Sequence, residues 1–482
     1  MAQEKSSSEE MGITIKKDED SAEWYAQVCQ KAELADYAPV KGCMVIRPKG
    51  YFIWQAIQRY FDENINKKHN VLNGYFPLFI PESFFKKEAE HAQGFTPEVA
   101  WLDKEVTGEG ERLAVRPTSE TIMYDSYSKW IRSHRDLPLK INQWCNVVRW
   151  ETEATKLFLR SREFLWQEGH CVYETKEECD NETLSILDDY AELCRKILAV
   201  PVLKGYKTEK EKFAGAHCTT TVESLMPDGK ALQCGTSHNL GQGFAKSFGI
   251  EFIGKDEQKH LPWQNSWGIS TRLIGAVVLT HSDDKGLVIP PAIAMNKIAI
   301  IPILFDKTKE KVLKKCHELK KKLVKYSPIL DDRDAFNPGY KFNEWEMKGV
   351  PLRIEIGPKD IESRQVVMVR RDTGKKEFVK ETKIPDKIKE IFEQMPNDMY
   401  EKALSRMNEN TASPKTFDDL KKAIDSKKWA KTQWCGEHEC EDAIKDETGA
   451  GIRCIPLNSK PSGRCIYCGK EAKHAVYIAR SY

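Results

Sequence analysis

The stretch NVVRWETEATKLFLRSREFLWQEGH, residues 146 to 170, reads as two strands joined by a turn, yet it carries more charge than a buried hairpin tolerates. Strand side chains alternate faces. Arg160, Arg162, Phe164, Trp166, Glu168 and His170 are therefore expected on one side of the return strand, and Arg149 and Glu151 on one face of the outgoing strand. A solvated face rarely interleaves two large aromatics with so many ions, and a core face excludes the ions. The floor of a ligand site needs both. On this spacing Arg149 suits a phosphate, Glu151 an exocyclic amine and Phe164 a stacked purine. An edge hairpin with a salt-bridge ladder is the competing reading.

A chain of 482 residues has room for roughly three domains. Lys plus Arg total 75 against 73 for Asp plus Glu, a net charge of +2, so any surface for a polyanion has to be local. The N-terminus MAQEKSSSEE has no apolar core, and nothing later approaches the ~18 uninterrupted apolar residues of a membrane span. A cytoplasmic protein without membrane contact is expected.

Residues 1–20 are polar and expected as a mobile tail. From 21 to 288 aromatic and β-branched runs alternate with amphipathic helices, such as 119–134 and 182–198, and several connections are too short for crossover helices. That calls for one large unit with antiparallel pairing. Pro290-Pro291 marks a boundary, after which residues 289–400 alternate strand and helix as a small α/β domain with a mostly parallel sheet. A cysteine-bearing unit follows from 401 to 482. The expected fold class is thus α/β and α+β multidomain.

Of the 14 cysteines, those from Cys29 to Cys316 are scattered and read as reduced, buried small hydrophobes. Cys435-x4-Cys440 and Cys465-x2-Cys468 instead form two close thiolate pairs, the layout of a tetrahedral structural Zn²⁺ site. A disulfide pair is the alternative, disfavoured in a reducing compartment. Cys454, alone between the pairs, reads as packing.

Arg149-x-Glu151 followed by Arg160-x-x-x-Phe164 resembles motif 2 of the class II aminoacyl-tRNA synthetases. YFPLFIPESFF, with Pro81, resembles their motif 1, which implies a homodimer. SWGISTRLIG resembles motif 3, with Arg272 as the arginine at the terminal phosphate. RPTSET (116–121), FLWQEGH (164–170), QCGTSHNLGQ (233–242) and WQNSWG (263–268) together resemble prolyl-tRNA synthetases of the archaeal and eukaryotic type, over nearly the whole chain after the tail. The resemblance implies a class II antiparallel-sheet catalytic domain, an α/β anticodon-binding domain and a small C-terminal zinc-binding α+β domain. It also implies ATP- and Mg²⁺-dependent activation of L-proline and its transfer to tRNA(Pro). A retired paralogue that only binds RNA is the alternative, as is a zinc-dependent structural RNA-binding protein; retention of Arg149, Glu151, Phe164 and Arg272 speaks against both.

Attack of an already ionised carboxylate on the α-phosphorus needs no general base, so catalysis has to come from in-line positioning and from cations on the phosphates. Arg149 and Arg272 fit that need. By resemblance Arg160, Phe164, Glu151, Gln233 and Thr236 complete the ATP site. Proline offers two N–H donors and a compact ring, which calls for acceptors and flat walls. Thr118 and Glu120 are the expected acceptors; Arg149, Trp166, Glu168, His170 and Phe213 form and brace the wall, and Thr236 and His238 close it.

His217-Cys218 stand where the family carries an acidic and an aromatic residue, and they receive no role. The motif 2 loop reads TEATKLF where the family often carries a basic residue and prolines, so no residue of it is assigned to the acceptor end. Glu346 and Arg353, in NEWEMKGVPLRIEIGPKD, are expected by resemblance to read anticodon guanines. The lysines of KEKVLKKCHELKKKLVKY are the exposed side of a packed helix, because Val312, Cys316, Leu319 and Leu323 form an apolar stripe. The resemblance also implies that Tyr482 folds back toward the active site. Between His170 and Thr236 there are too few residues for an inserted editing domain.

Overall fold

The computed structural model describes residues 12–89, 99–103, 110–150 and 154–482. Glu151 lies outside the described residues. The opening hairpin is the antiparallel pair β1 (Leu139–Val148) and β2 (Glu163–Tyr173), in register Gln143↔Glu168 and Val147↔Phe164. With β3 (Cys218–Leu225), β4 (Lys230–Gly241) and β5 (Trp263–Ser270) it forms a run in the order β3-β4-β5-β2-β1, every neighbour antiparallel. Gly169 lets β5 pack: a Cβ there would stand 2.3 Å from carbons of the Trp267 indole.

Three helices frame this sheet: α1 (Glu120–Trp130), α2 (Lys176–Lys196) and α3 (Arg272–His281). A capping box between Thr175 and Glu178 starts α2, satisfying backbone donors that the first turn leaves open. The helix buries Ile186, Leu187, Tyr190 and Leu193 in the same core as Trp267 and most of α3. At roughly 1.5–3 kcal/mol per large apolar side chain, that face fixes α2 on the sheet.

Residues 12–20, expected in a mobile tail, pack on this unit. Ile13 and Ile15 touch the core, and Lys17 Nζ donates to the carbonyls of Leu279 (2.8 Å) and Ser282 (3.2 Å) at the end of α3. The two isoleucines and one well-placed donor outweigh the polar composition around them.

The second sheet runs Ile329–Leu330, Ile298–Pro302, Leu352–Ile356, Gln365–Arg370, Lys376–Lys380. Its first two pairings are parallel and its last two antiparallel, so it is mixed, not mostly parallel. The reason is the short Pro358–Glu362 helix, which turns the chain back without crossing the sheet. The helix α4 (Ile384–Glu409) then runs through residue 400.

In the C-terminal unit, Thr411–Ala412, Trp429–Trp434, His474–Ser481 and Gly451–Pro456 are neighbouring strands, and α5 (His438–Thr448) packs with them. They do not form a separate sheet. Ile455 and Pro456 pair antiparallel with Tyr206 and Gly205 of Leu203–Tyr206, whose other edge is β3, so one sheet runs from the cysteine unit into β3-β4-β5-β2-β1. Gly205 permits the junction, since a Cβ would meet Cys454 Sγ and the Ile455 carbonyl oxygen at 2.3 Å.

A buried ionic knot ties α2 to the helical turn Lys67–His69. His69 Nδ1 lies 3.0 Å from Glu182 Oε2 and Nε2 2.5 Å from Asp189 Oδ2, while Lys140 and Lys68 reach the same two carboxylates at 3.0 and 2.7 Å. Burial alone would push the imidazole pKa down, but the bonds to Asp189 and Glu182 outweigh it and hold it above the ordinary histidine value. A raised folded-state pKa gives stability that is fully present below the unfolded value near ~6.5 and lost as pH rises through the folded value. The two carboxylates act oppositely. Their pKa values are lowered by the same contacts, and their contribution is lost only on stronger acidification. The stability gap between wild type and His69→Gln is therefore expected to be widest just below pH ~6.5 and to narrow at higher pH. Urea midpoints measured across pH check this, and a gap that does not vary with pH would refute it.

Candidate active site

One face of the sheet β3-β4-β5-β2-β1 is set out by register. Gln143, Glu168, Gly268, Thr236 and Thr221 form one cross-strand row, and Ile141, His170, Ser266, His238 and Thr219 the next on that face. Glycine and serine on β5 leave a trough between the functional side chains of β2 and β4. The trough is the floor of a cavity of about 260 Å³ lined by Thr118, Glu120, Arg149, Phe164, Trp166, Glu168, His170, Phe213, Gln233, Thr236, His238 and Arg272, all expected from the sequence. Glu211, Thr219, Ser266 and Ser270 also line it and were not anticipated. Thr219 carries a signal in retrospect, as the first threonine of the TTT run.

At one end lies a buried charged triad. Glu168 accepts from the Ser119 amide (3.2 Å), His170 Nε2 (3.1 Å) and Gln143 Nε2 (3.1 Å), and His170 Nδ1 meets the Tyr124 hydroxyl at 3.1 Å. Burial would raise the Glu168 pKa, but the bonds from His170, Ser119 and Gln143 lower it. Burial likewise opposes the protonated His170, and its contact with Glu168 raises it. The two form an ion pair. Glu120, bonded by the Thr118 hydroxyl, is raised, chiefly by burial. His238 is pushed down to about 3 by burial and by the charge of His170, so it stands neutral, 2.9 Å from the Thr219 hydroxyl and with its ring 4.9 Å from that of Phe213. Glu120, Glu168 and His170 present ligand atoms within 4.8 Å of one another, a spacing that a metal also accepts, but Glu168 and His170 spend theirs on internal hydrogen bonds.

The other end is aromatic and cationic. The Arg149 guanidinium lies 5.6 Å from the Phe164 ring and 5.4 Å from that of Trp166, and its Nε donates to the Pro117 carbonyl at 3.2 Å. Arg272, opening α3, donates from Nε to the Leu159 carbonyl at 3.2 Å. Arg149, Phe164, Ser270 and Arg272 are shared with an adjoining cavity of about 180 Å³, where Arg160 and Tyr482 are found. The Tyr482 hydroxyl donates to Asp228 at 2.5 Å, and its ring lies under Lys156 and Lys230.

The expected face of the hairpin is corrected at one point. Arg160 and Arg162 precede β2, where Lys156↔Arg160 closes a small bridge around Phe158, whose φ is +60°. Strand alternation does not extend through such a turn. Arg160 reaches the adjoining cavity, whereas Arg162 stacks on Trp150 at 4.6 Å and packs against Gly42, away from both cavities. His217 and Cys218 do not line the main cavity.

Glu346 and Arg353 come together on the second sheet's surface, lining a small cleft. Glu346 takes an ion pair from Lys285 (3.2 Å), and Arg353 donates to Glu355 at 2.9 Å.

In the C-terminal unit, the sulfurs of Cys435, Cys440, Cys465 and Cys468 lie within 4.8 Å of one another, with Cys435 and Cys468 3.7 Å apart. Four sulfurs held tetrahedrally at about 2.3 Å from zinc stand about 3.8 Å apart, so the set fits that metal. All four are free thiols; a backbone hydrogen bond from Lys470 brings Cys468 down to about 7, whereas burial pushes Cys435 and Cys440 up. Cys454 lies buried against Gly205, outside the cluster. Among the described residues, no helix is long and apolar enough to cross a membrane.

Comparison with known proteins agrees with this geometry. Residues 102–281 match the tRNA synthetase class II core domain (G, H, P, S and T), 297–391 the anticodon binding domain and 417–482 the prolyl-tRNA synthetase C-terminal domain. The chain is 51% identical over 467 residues to the proline–tRNA ligase of Alkaliphilus oremlandii, covering 96% of each chain. It is 51% identical over 468 residues to that of Clostridium novyi (96% and 97%), and 48% identical over 480 residues to proline–tRNA ligase 2 of Bacillus thuringiensis strain Al Hakam (98% and 99%). The chain belongs to the proline–tRNA ligase family of class II aminoacyl-tRNA synthetases.

Proposed function

We propose that this protein activates L-proline with ATP to prolyl-adenylate and transfers the proline to the 3′ end of tRNA(Pro). The observation that carries the reading is a single cavity in which a buried carboxylate end adjoins an arginine-flanked aromatic shelf, with Arg149 between them. An arriving secondary ammonium donates to Glu120 and Thr118, and its positive charge favours the carboxylate form that burial disfavours. The Glu168–His170 pair is already neutral overall and braces the wall, and neutral His238 does not repel the ammonium. Trp166, Phe213 and His238 close on the ring.

The proline carboxylate then faces the phosphate end. Phe164 stacks on adenine and Glu151 accepts its exocyclic amine. Arg149 holds the α-phosphate, Arg272 the outer phosphate, Arg160 a second phosphate position, and Gln233 and Thr236 the remainder of the nucleotide. Of the carboxylates lining the main cavity among the described residues, Glu120 and Glu168 belong to the amino-acid end and Glu211 pairs with Arg453. Mg²⁺ would thus enter on the nucleotide's own phosphate oxygens, adding charge neutralisation there. Cys435, Cys440, Cys465 and Cys468 would hold a structural Zn²⁺.

At the anticodon, Glu346 exchanges Lys285, and Arg353 exchanges Glu355, for guanine edges. Exposed Leu72, Tyr75 and Phe79 in the motif 1 region support a homodimer, and a reaction on tRNA is consistent with a cytoplasmic protein.

ATP–pyrophosphate exchange with each amino acid in turn tests the assignment. Proline is expected to give the fastest exchange, with alanine and cysteine slower by about 10–200-fold, because a smaller side chain forfeits only ~1–3 kcal/mol of pocket contact. A folded protein without proline-dependent exchange overturns it in favour of the RNA-binding paralogue.

A further inference from the structure

We infer that the C-terminal unit positions the wall of the amino-acid pocket, with Glu441 and Arg453 holding the segment 207–213 that carries Phe213. The inference rests on the reading of the cavity as a proline site. Residues 207–217 connect Leu203–Tyr206 to β3 without regular structure, and Glu211 and Phe213 within them line the cavity. A segment of this kind needs outside partners to hold a side chain in one place.

Its partners lie more than 200 residues away in sequence. Thr208 is the node: its carbonyl accepts from the amides of Glu211 (3.2 Å) and Lys212 (2.9 Å), and its hydroxyl accepts from Glu211 N at 3.2 Å. The single hydroxyl proton goes to Glu441 Oε1 at 2.7 Å, both residues being buried. Glu441 directly follows Cys440 on α5. About 100° of helix rotation separates successive side chains, so one turn aims Cys440 at the sulfur cluster and Glu441 at Thr208.

Arg453 adds a second clamp. Its guanidinium lies 3.4 Å from Glu223 Oε1 and 3.6 Å from Glu211 Oε2, and its carbonyl accepts from Lys207 Nζ at 3.1 Å. Lys207 also pairs with Glu223, and Lys210 with Asp442 on the surface. From this anchored turn the Phe213 amide donates to Thr219 Oγ1 at 2.9 Å, the same hydroxyl that meets His238. The chain of contacts thus runs from α5 through Thr208 to the Phe213 and His238 rings.

Docking of one unit on another would by itself affect all kinetic constants or none. Positioning of this segment acts on the amino-acid end alone, because Arg149, Phe164 and Arg272 come from the hairpin and α3. Thr208→Val removes the donor to Glu441 and keeps the shape. In exchange assays it is expected to raise the KM for proline about tenfold or more, with the KM for ATP within about twofold, the loss of one buried hydrogen bond to a charged group. Thr208→Ser restores the wild-type value, and metal content stays as in wild type. Amide hydrogen exchange across 208–213 quickens in Thr208→Val and not in Thr208→Ser.

A folded Thr208→Val with wild-type proline KM and unchanged amides overturns the inference, as do equal rises in both KM values. Should Thr208→Val not fold, Asp442→Ala, which frees Lys210 at the surface, is read by the same amides, and unchanged exchange counts against the inference. If the wild type itself shows no proline-dependent exchange, the reading of the site fails, while the amides still decide whether the C-terminal unit holds the segment.

Discussion

Replacing Arg149 with alanine is expected to reduce ATP–pyrophosphate exchange by about 10²–10³-fold while the urea midpoint stays near that of wild type, because a preorganised cation aimed at developing charge is worth about 3–4 kcal/mol in the transition state. The guanidinium lies on the rim between the two cavities, over Phe164 and Trp166, and outside the buried apolar clusters. Its removal therefore leaves the core packing in place. Lysine would keep the charge but lose the planar fork that both stacks on the rings and spans two phosphate oxygens, so Arg149→Lys should recover only part of the rate. The loss should fall mainly on kcat, since the contact strengthens as charge moves onto the phosphates. Exchange within about threefold of wild type by a stable Arg149→Ala protein would remove Arg149 from the phosphate role.

What the sequence discloses of this site follows the reach of its regularities. From Phe164 to His170 the chain is a true strand, and a period of two is enough to put Phe164, Trp166, Glu168 and His170 on one wall. Two residues earlier the same rule fails for Arg162, because the chain has left extended geometry at Phe158. Ser266 and Ser270 stayed hidden for a different reason: they matter through cross-strand register, which local pattern does not encode. The same holds for the sheet that joins the C-terminal unit to the catalytic strands. Its pairing of Ile455 with Tyr206 spans about half the chain, and the residue that marks it is Gly205, which in sequence looks like any glycine in a strand. The second sheet is mixed and not mostly parallel because the Pro358–Glu362 helix between two of its strands is too short to cross the sheet, and a strand–helix alternation does not by itself encode pairing direction.

Stripping the metal should have the largest effect on stability. Preparations are expected to contain about one zinc per chain, and chelation, or Cys435→Ser with Cys468→Ser, should unfold the C-terminal unit, because apparent zinc-binding free energies of about 10–16 kcal/mol act as folding free energy in small domains. The packing explains the dependence. Cys435, Cys440 and Cys465 belong to the same small apolar cluster as Ile444, Ile452, Val476 and Ile478, so without the cation thiols with nothing to hold them together would sit inside the unit's largest core among the described residues. Acidification should loosen the metal as well, since the thiolates that bind it are the deprotonated form. Limited proteolysis with metal analysis is the check: cleavage should appear between 412 and 482 as zinc is lost, and earlier than any cut in β1–β5. The damage should not stop there. The strand Gly451–Pro456 continues the catalytic sheet through Tyr206, and α5 carries Glu441 against Thr208, so proline affinity should fall with the metal even though the cluster touches no substrate. A metal-free protein that resists protease like the wild type would show that the four cysteines pack as a plain hydrophobic group and need no ion.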